Sequence, residues 1–108
     1  MTHYALRNTT NVMAIQSYAC RNTKALHETG QSRRFERLRI ARAALRKLDM
    51  LHAAHRLLDL RSPPGNRLEA LAGDRLGQYS VRINDQWRLC FRWTDAGPED
   101  VEIVDYHD

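Results

Sequence analysis

Apolar positions change their period once along the chain, and that change separates a helical part from a sheet. From Ser32 to about His55, Phe35, Leu38, Ala41, Leu45, Leu48 and His52 recur at steps of three and four. This spacing gathers them on one face, so a single amphipathic helix capped by Ser32 is expected. Ahead of it, Thr23 to Glu28 reads as a helical turn with Thr23 as N-cap and Gly30 as its stop, and Ile15 to Ala19 as a short strand. After the turn residues Arg61-Ser62-Pro63-Pro64-Gly65-Asn66 the period becomes two. Arg67 to Leu71 is a candidate strand, ended by Ala72-Gly73-Asp74. Tyr79, Val81 and Ile83 then alternate with Gln78, Ser80 and Arg82, and Trp87, Leu89, Phe91 and Trp93 with Arg88, Cys90 and Arg92. Asn84-Asp85 between these runs is a hairpin signal. Ala96-Gly97-Pro98 turns the chain into a last strand from Val101 to Asp105. Helices followed by a meander predict an α+β domain, with N-terminal helices packed on a small antiparallel β-sheet.

Residues 1–14 show no periodicity and are expected to form a flexible extension, with Met13 as a candidate start, ahead of one ordered domain over 15–108. The total of 108 residues suits a single core and no second domain. No run approaches the ~20 apolar residues that span a bilayer. The N-terminus has no charged region leading into an apolar one, so a cytoplasmic protein with no membrane partner is expected. Cys20 and Cys90 have no metal-binding or redox spacing and read as free thiols in a reducing compartment.

Charge adds a direction. Residues 1–68 hold 13 Lys+Arg against 4 Asp+Glu, whereas residues 69–108 hold 4 against 9. All the cations but Lys24 and Lys47 are arginines, whose planar fork suits phosphate. Arg39, Arg42 and Arg46 lie along one flank of the predicted long helix, with Arg33, Arg37 and Lys47 around the rest. A polyanion partner and a merely solvated helix face both account for this pattern.

In the sheet, Arg82 and Arg88 flank the tight hairpin, so their side chains are expected near one another. Each could pair with an acid of the last strand, such as Glu102. That pairing is the expectation for Arg92; for Arg88 it is a phosphate contact. The terminal Asp105-Tyr106-His107-Asp108 collects an acceptor, a phenol and an imidazole, the last a proton carrier near neutral pH. On its own it reads as a frayed polar end rather than as a site. His52 and His55 permit two metal ligands but no third is evident, so no metal site is expected. No serine or cysteine has a base and orienter in sight. Gly73 and Gly77 do not open a helix, which leaves nucleotide hydrolysis without support.

The run L-x-G-D-R-x-G-Q-x-S-x-R-x-N-x-x-W-R-x-x-F from Leu71 to Phe91, after Arg61-Ser62-Pro63-Pro64-Gly65-Asn66-Arg67-Leu68 and before a terminal Asp105-Tyr106-His107, resembles the HigB branch of the RelE superfamily of toxins. The resemblance covers the chain from about Ile15. It implies a RelE-like fold and a metal-independent, cofactor-free ribonuclease that cleaves messenger RNA, usually in the ribosomal A site. The RNA 2′-hydroxyl attacks the adjacent phosphate. It further implies Arg88 as the residue that stabilises the developing charge, and Asp105, Tyr106 and His107 as the terminal catalytic group. Arg82 and Arg75 would be RNA contacts, and Arg39, Arg42 and Arg46 would face ribosomal RNA. Where some relatives carry a histidine and a lysine before G-D-R, this chain has Glu69 and Ala72. Glu69 remains a candidate proton acceptor, and a slower nuclease is expected. The implied partner is a helix-turn-helix, HigA-like antitoxin, dimeric, through which alone the toxin would meet operator DNA. The same fold also hosts poisons of DNA gyrase, and a decayed toxin could act only as an antitoxin-binding co-repressor.

Overall fold

Alternating aromatic and β-branched residues build the centre of the sheet. The computed structural model describes residues 14–106, so 1–13, His107 and Asp108 lie outside the described residues. Four strands run in chain order: β1 (Glu69–Ala70), β2 (Tyr79–Arg82), β3 (Trp87–Thr94) and β4 (Gly97–Asp105). All neighbours are antiparallel. Asn84 closes the β2–β3 hairpin, its side-chain oxygen accepting from the backbone N–H groups of Gln86 and Trp87. β1 is shorter than the expected Arg67–Leu71, because Arg67 takes a left-handed conformation at φ 45° that ends the extended run. β4 starts at Gly97 rather than Val101, since Gly97 and Pro98 already pair with Thr94 and Trp93. The expected strand at Ile15 to Ala19 is an extended segment that meets β4 through one parallel bridge, Tyr18 to Val101.

Three helices precede the sheet: α1 (Arg21–Thr29), α2 (Arg33–Arg37) and α3 (Ala41–Ala53). Gly30 ends α1 in the left-handed conformation, as its position suggests. Thr23 is not the cap of α1 but lies inside it, fully buried. Its hydroxyl accepts the N–H of Ile103 and so ties α1 to β4. Ser32 does cap a helix, accepting from the N–H of Phe35. That helix is short, however, and the single long one read from the periodicity is two. Arg39 turns left-handed at φ 62°, the Ile40 N–H bonds the Phe35 carbonyl, and the Arg39 N–H bonds that of Glu36. This is the Schellman ending, with Phe35 and Ile40 as its apolar pair.

The break re-aims the second helix. Its buried stripe is Ala44, Leu48 and Leu51, continuing from Ile40, while Leu38 and His52 are exposed. Ile40 and that stripe, with Leu26, Phe35 and Leu60, pack against Val81, Ile83, Trp87, Leu89, Phe91, Val101 and Ile103 on one face of the sheet. The α+β architecture, helices on a small antiparallel sheet, is the one the pattern predicts. The alternation misleads on the second face, where Ser80, Arg88 and Cys90 are as buried as the core. Among the described residues no helix is long and apolar enough to cross a membrane.

Candidate functional site

The candidate site lies on the second face of the sheet. Glu69 pairs with Ser80, Ser80 with Cys90 and Arg82 with Arg88, so these side chains share that face. At its hairpin end a cleft of about 410 Å³ is lined by Arg67, Glu69, Arg82, Asn84, Asp85, Arg88 and Tyr106.

Arg88 forms the floor. Its Nε donates to Ser80 Oγ at 2.6 Å, and its Nη2 donates to the Arg67 carbonyl at 2.5 Å and the Ser80 carbonyl at 3.4 Å. The nearest carboxylate, on Glu69, stands 3.9 Å from Nη2. Nη1 has no protein partner among the described residues. The guanidinium is thus fixed by neutral oxygens and keeps its charge only loosely countered, an arrangement that favours an incoming anion. Arg82, directly opposite on β2, is ion-paired with exposed Asp85. Tyr106 is held by its backbone N–H, which donates to the Gln86 carbonyl at 2.6 Å. This contact fastens the end of β4 to the hairpin and brings the phenol to the cleft.

Four of the residues anticipated from sequence, Arg88, Arg82, Glu69 and Tyr106, therefore meet. Asp105 is next to them on β4, opposite Trp87, where it accepts from Gln86 Nε2 at 3.1 Å, but it does not line the cleft. His107 follows Tyr106 in the chain and lies outside the described residues. Arg75 is elsewhere on the face, bonded to Gln78 and to Glu102 at 3.3 Å. Arg39 and Arg42 line a separate groove with Glu36 and Leu45, while Arg46 is exposed on α3. Arg92 pairs with Asp100 of β4 at 3.4 Å, in keeping with the expected strand-to-strand ion pair. Ala72 is exposed and does not line the cleft.

Sequence reasoning missed Arg67 and Lys47. The only signal for Arg67 was its place at the start of the candidate strand Arg67–Leu71, directly after the turn residues. Lys47 donates to the Asn66 side-chain oxygen at 2.6 Å, beside Arg67. Burial, then the charges of Arg46 and Arg82, push its ammonium below the usual lysine range, so cations of the helix and of the cleft stand close together.

A larger hollow, about 610 Å³, lies between the segment 15–18 and helices α1 and α3. Its groups mostly bond one another: Tyr18 Oη with His27 Nδ1, and the Ile15 N–H with His52 Nδ1. The smaller cleft has the stronger claim to chemistry, because it gathers three arginines with two carboxylates and a phenol. Cys90 is no nucleophile, since burial raises its thiol to about 11. Among the described residues no three His, Cys, Asp or Glu are grouped to hold a metal.

A helix-backed antiparallel sheet with this arginine-lined cleft is a RelE-like α+β domain. The family model of the RelE-like toxin of type II toxin–antitoxin system HigB matches residues 5–107, and the chain belongs to that family. A stretch of 57 residues is 51% identical to Toxin HigB-1 of Vibrio cholerae serotype O1, covering 53% of this chain and 60% of that protein. Another of 48 residues is 48% identical to an uncharacterized protein of Haemophilus influenzae, covering 44% of this chain and 48% of that one. The chain thus spans about half the length of the curated relatives it matches.

Proposed function

We propose that the protein is the toxin of a type II pair and acts as a metal-independent endoribonuclease on messenger RNA, with the cleft at the hairpin as its active site. The observation that carries this reading is the meeting of Arg88 and Arg82 with Glu69 and Tyr106 in one cleft. A phosphodiester fits there because Arg88 is pre-oriented by neutral oxygens and its nearest counter-ion, Glu69, stands 3.9 Å away. In the reaction the RNA 2′-oxygen forms a bond to phosphorus, the bond to the 5′-oxygen breaks, and a 2′,3′-cyclic phosphate and a 5′-hydroxyl result. Two protons must move. One leaves the 2′-hydroxyl, for which Glu69 or His107 is the acceptor. The other reaches the departing 5′-oxygen, with Tyr106 or His107 as donor. Arg88 and Arg82 stabilise the extra charge on the pentacoordinate phosphorus, a contribution worth ~10²–10³ in rate for a single well-placed donor.

The basic flank of Arg39, Arg42 and Arg46 supports docking on ribosomal RNA. Its partner in this reading is a dimeric helix-turn-helix, HigA-like antitoxin that silences the toxin in the cytoplasm and carries it to operator DNA. The test is primer-extension mapping of a translated reporter messenger RNA in cells expressing the chain, beside Arg88→Ala and His107→Ala. Cuts that disappear in both variants are expected. Intact messenger RNA with disturbed DNA supercoiling would replace this reading with a gyrase poison.

A further inference from the structure

Arg67 stands apart from the other cleft arginines. Arg82 has Asp85, and Arg88 has Ser80, the Arg67 carbonyl and, at longer range, Glu69. The Arg67 side chain has no ion-pair or hydrogen-bond partner among the described residues, yet it lines the cleft. Its backbone is at φ 45°, ψ 58°, the left-handed region where glycine or asparagine is at ease and a long side chain is not. Strain of this kind persists where the surroundings over-determine it, and functional sites are where it collects.

The surroundings here are specific. Asn66, fully buried, donates through its amide to the carbonyls of Leu60 at 3.0 Å and Ser62 at 3.3 Å, and its oxygen accepts from Lys47 at 2.6 Å. All of these bonds hold the residue just before Arg67. Anchored this way, the loop delivers the Arg67 carbonyl to Arg88 and leaves the Arg67 guanidinium to the cleft. Arg82 is level with Arg88 on the neighbouring strand, and Arg67, in the loop that leads into β1 on the other side of β2, lines the same cleft. Strands are spaced by about 4.8 Å, so cations borne on β3, on β2 and in the loop before β1 spread over about 10 Å. That is broader than one phosphate group and suits consecutive phosphates of a single strand.

We propose that Arg67, on its Asn66-anchored loop, forms a second phosphate subsite of the cleft, taking the phosphodiester that adjoins the one at Arg88 and Arg82 on single-stranded RNA. This rests on the nuclease reading of the cleft and adds the direction in which the strand crosses it: from the β2–β3 hairpin towards the loop before β1. Because Arg67 supports Arg88 through its carbonyl alone, removing its side chain strips a cation and leaves the anchor of Arg88 in place.

The experiment is a fluorescence-anisotropy titration of the full chain with a labelled 2′-O-methyl oligoribonucleotide, which cannot be cleaved, across a series of salt concentrations. Wild type is compared with Arg67→Ala, Arg67→Lys and Arg92→Ala. For Arg67→Ala, Kd at low salt is expected to rise roughly tenfold, as for a lost charged hydrogen bond. The slope of log K against log salt should shrink by about 0.7, one single-strand phosphate contact. Arg67→Lys should recover the slope, and Arg92→Ala, whose charge is already met by Asp100, should keep it. Salt-dependent binding by wild type that is unchanged in Arg67→Ala overturns the subsite and leaves the nuclease reading standing. No salt-dependent binding by wild type, together with no cuts in cells, removes both.

Discussion

Arg88 stands out in the sequence as a candidate phosphate ligand because of its type and its place beside a tight hairpin. What the pattern concealed was how it is held. Alternation assigns it to an outward polar face, but its side chain is 11% exposed and bonded along its length. A partner such as the Arg67 carbonyl belongs to an irregular turn 21 residues away, and no periodicity encodes it. The geometry makes a sharp prediction about chemical type. Lysine keeps the charge but has no Nε to bond Ser80 and no second nitrogen to reach Arg67, so its single ammonium must leave one oxygen unmet. Arg88→Lys is therefore expected to lose about 10² in single-turnover cleavage, nearly as much as Arg88→Ala. Ser80→Ala, which releases only Nε, should lose roughly tenfold, on the scale of one charged hydrogen bond. Full activity in Arg88→Lys would show that charge alone is what the site requires.

At the scale of elements, the helices and strands were legible wherever one period ran unbroken, and the largest error, one long helix read for two, falls where a single residue interrupts it. Arg39 carries no sequence mark of a helix end, since arginine is a good helix former, and the apolar spacing passes smoothly through it. The ending is instead decided by the burial of Phe35 and Ile40 together, which only the left-handed turn at Arg39 allows. This cause is testable by glycine scanning. Glycine at position 39 removes the clash of a Cβ in the left-handed region, offsetting its greater freedom in the unfolded chain. Arg39→Gly is thus expected to be neutral or to stabilise by up to about 1 kcal/mol. Arg42→Gly, in the first turn of α3, should destabilise by up to about 1 kcal/mol. Urea unfolding of both variants measures the contrast. Equal destabilisation would mean that the two positions have the same backbone in solution and that the helix is continuous.

For the molecule as a whole, the imbalance of charge between the two parts of the sequence takes a form that counting did not reveal. Three acids of the C-terminal part are engaged with arginines of that same part: Asp85 with Arg82, Asp100 with Arg92, Glu102 with Arg75. Among the described residues Arg33, Arg37, Arg39, Arg42 and Arg46 have no such partner, so the helical side retains its positive field. Opposite charges therefore do not neutralise the two halves against each other, and α1 is joined to the rest by other means. One is Thr23; another is the cluster of Tyr18, His27, Asp49 and His52, where the rings of His27 and His52 are 4.9 Å apart. Burial, then the neighbouring His52, lowers the pKa of His27, and the carboxylates of Asp49 and Glu28 oppose this without prevailing. Lys24, on the rim of the same hollow, adds a further positive charge. A histidine whose pKa is lower folded than unfolded binds fewer protons in the native state, so stability increases with pH while it titrates. Its contribution is complete above the unfolded value of about 6.5 and is lost as pH falls through the folded one. The melting temperature is expected to hold between pH 8 and 7 and to decline from about 6.5 towards 5. His27→Gln, which can still bond Tyr18, should flatten that decline. Carboxylates such as Asp59, whose pKa is depressed below 3.8 by the N–H groups of Arg56 and His55, act only in stronger acid. A decline of the same size in His27→Gln would place the acid sensitivity outside the joint between α1, α3 and the segment at Tyr18.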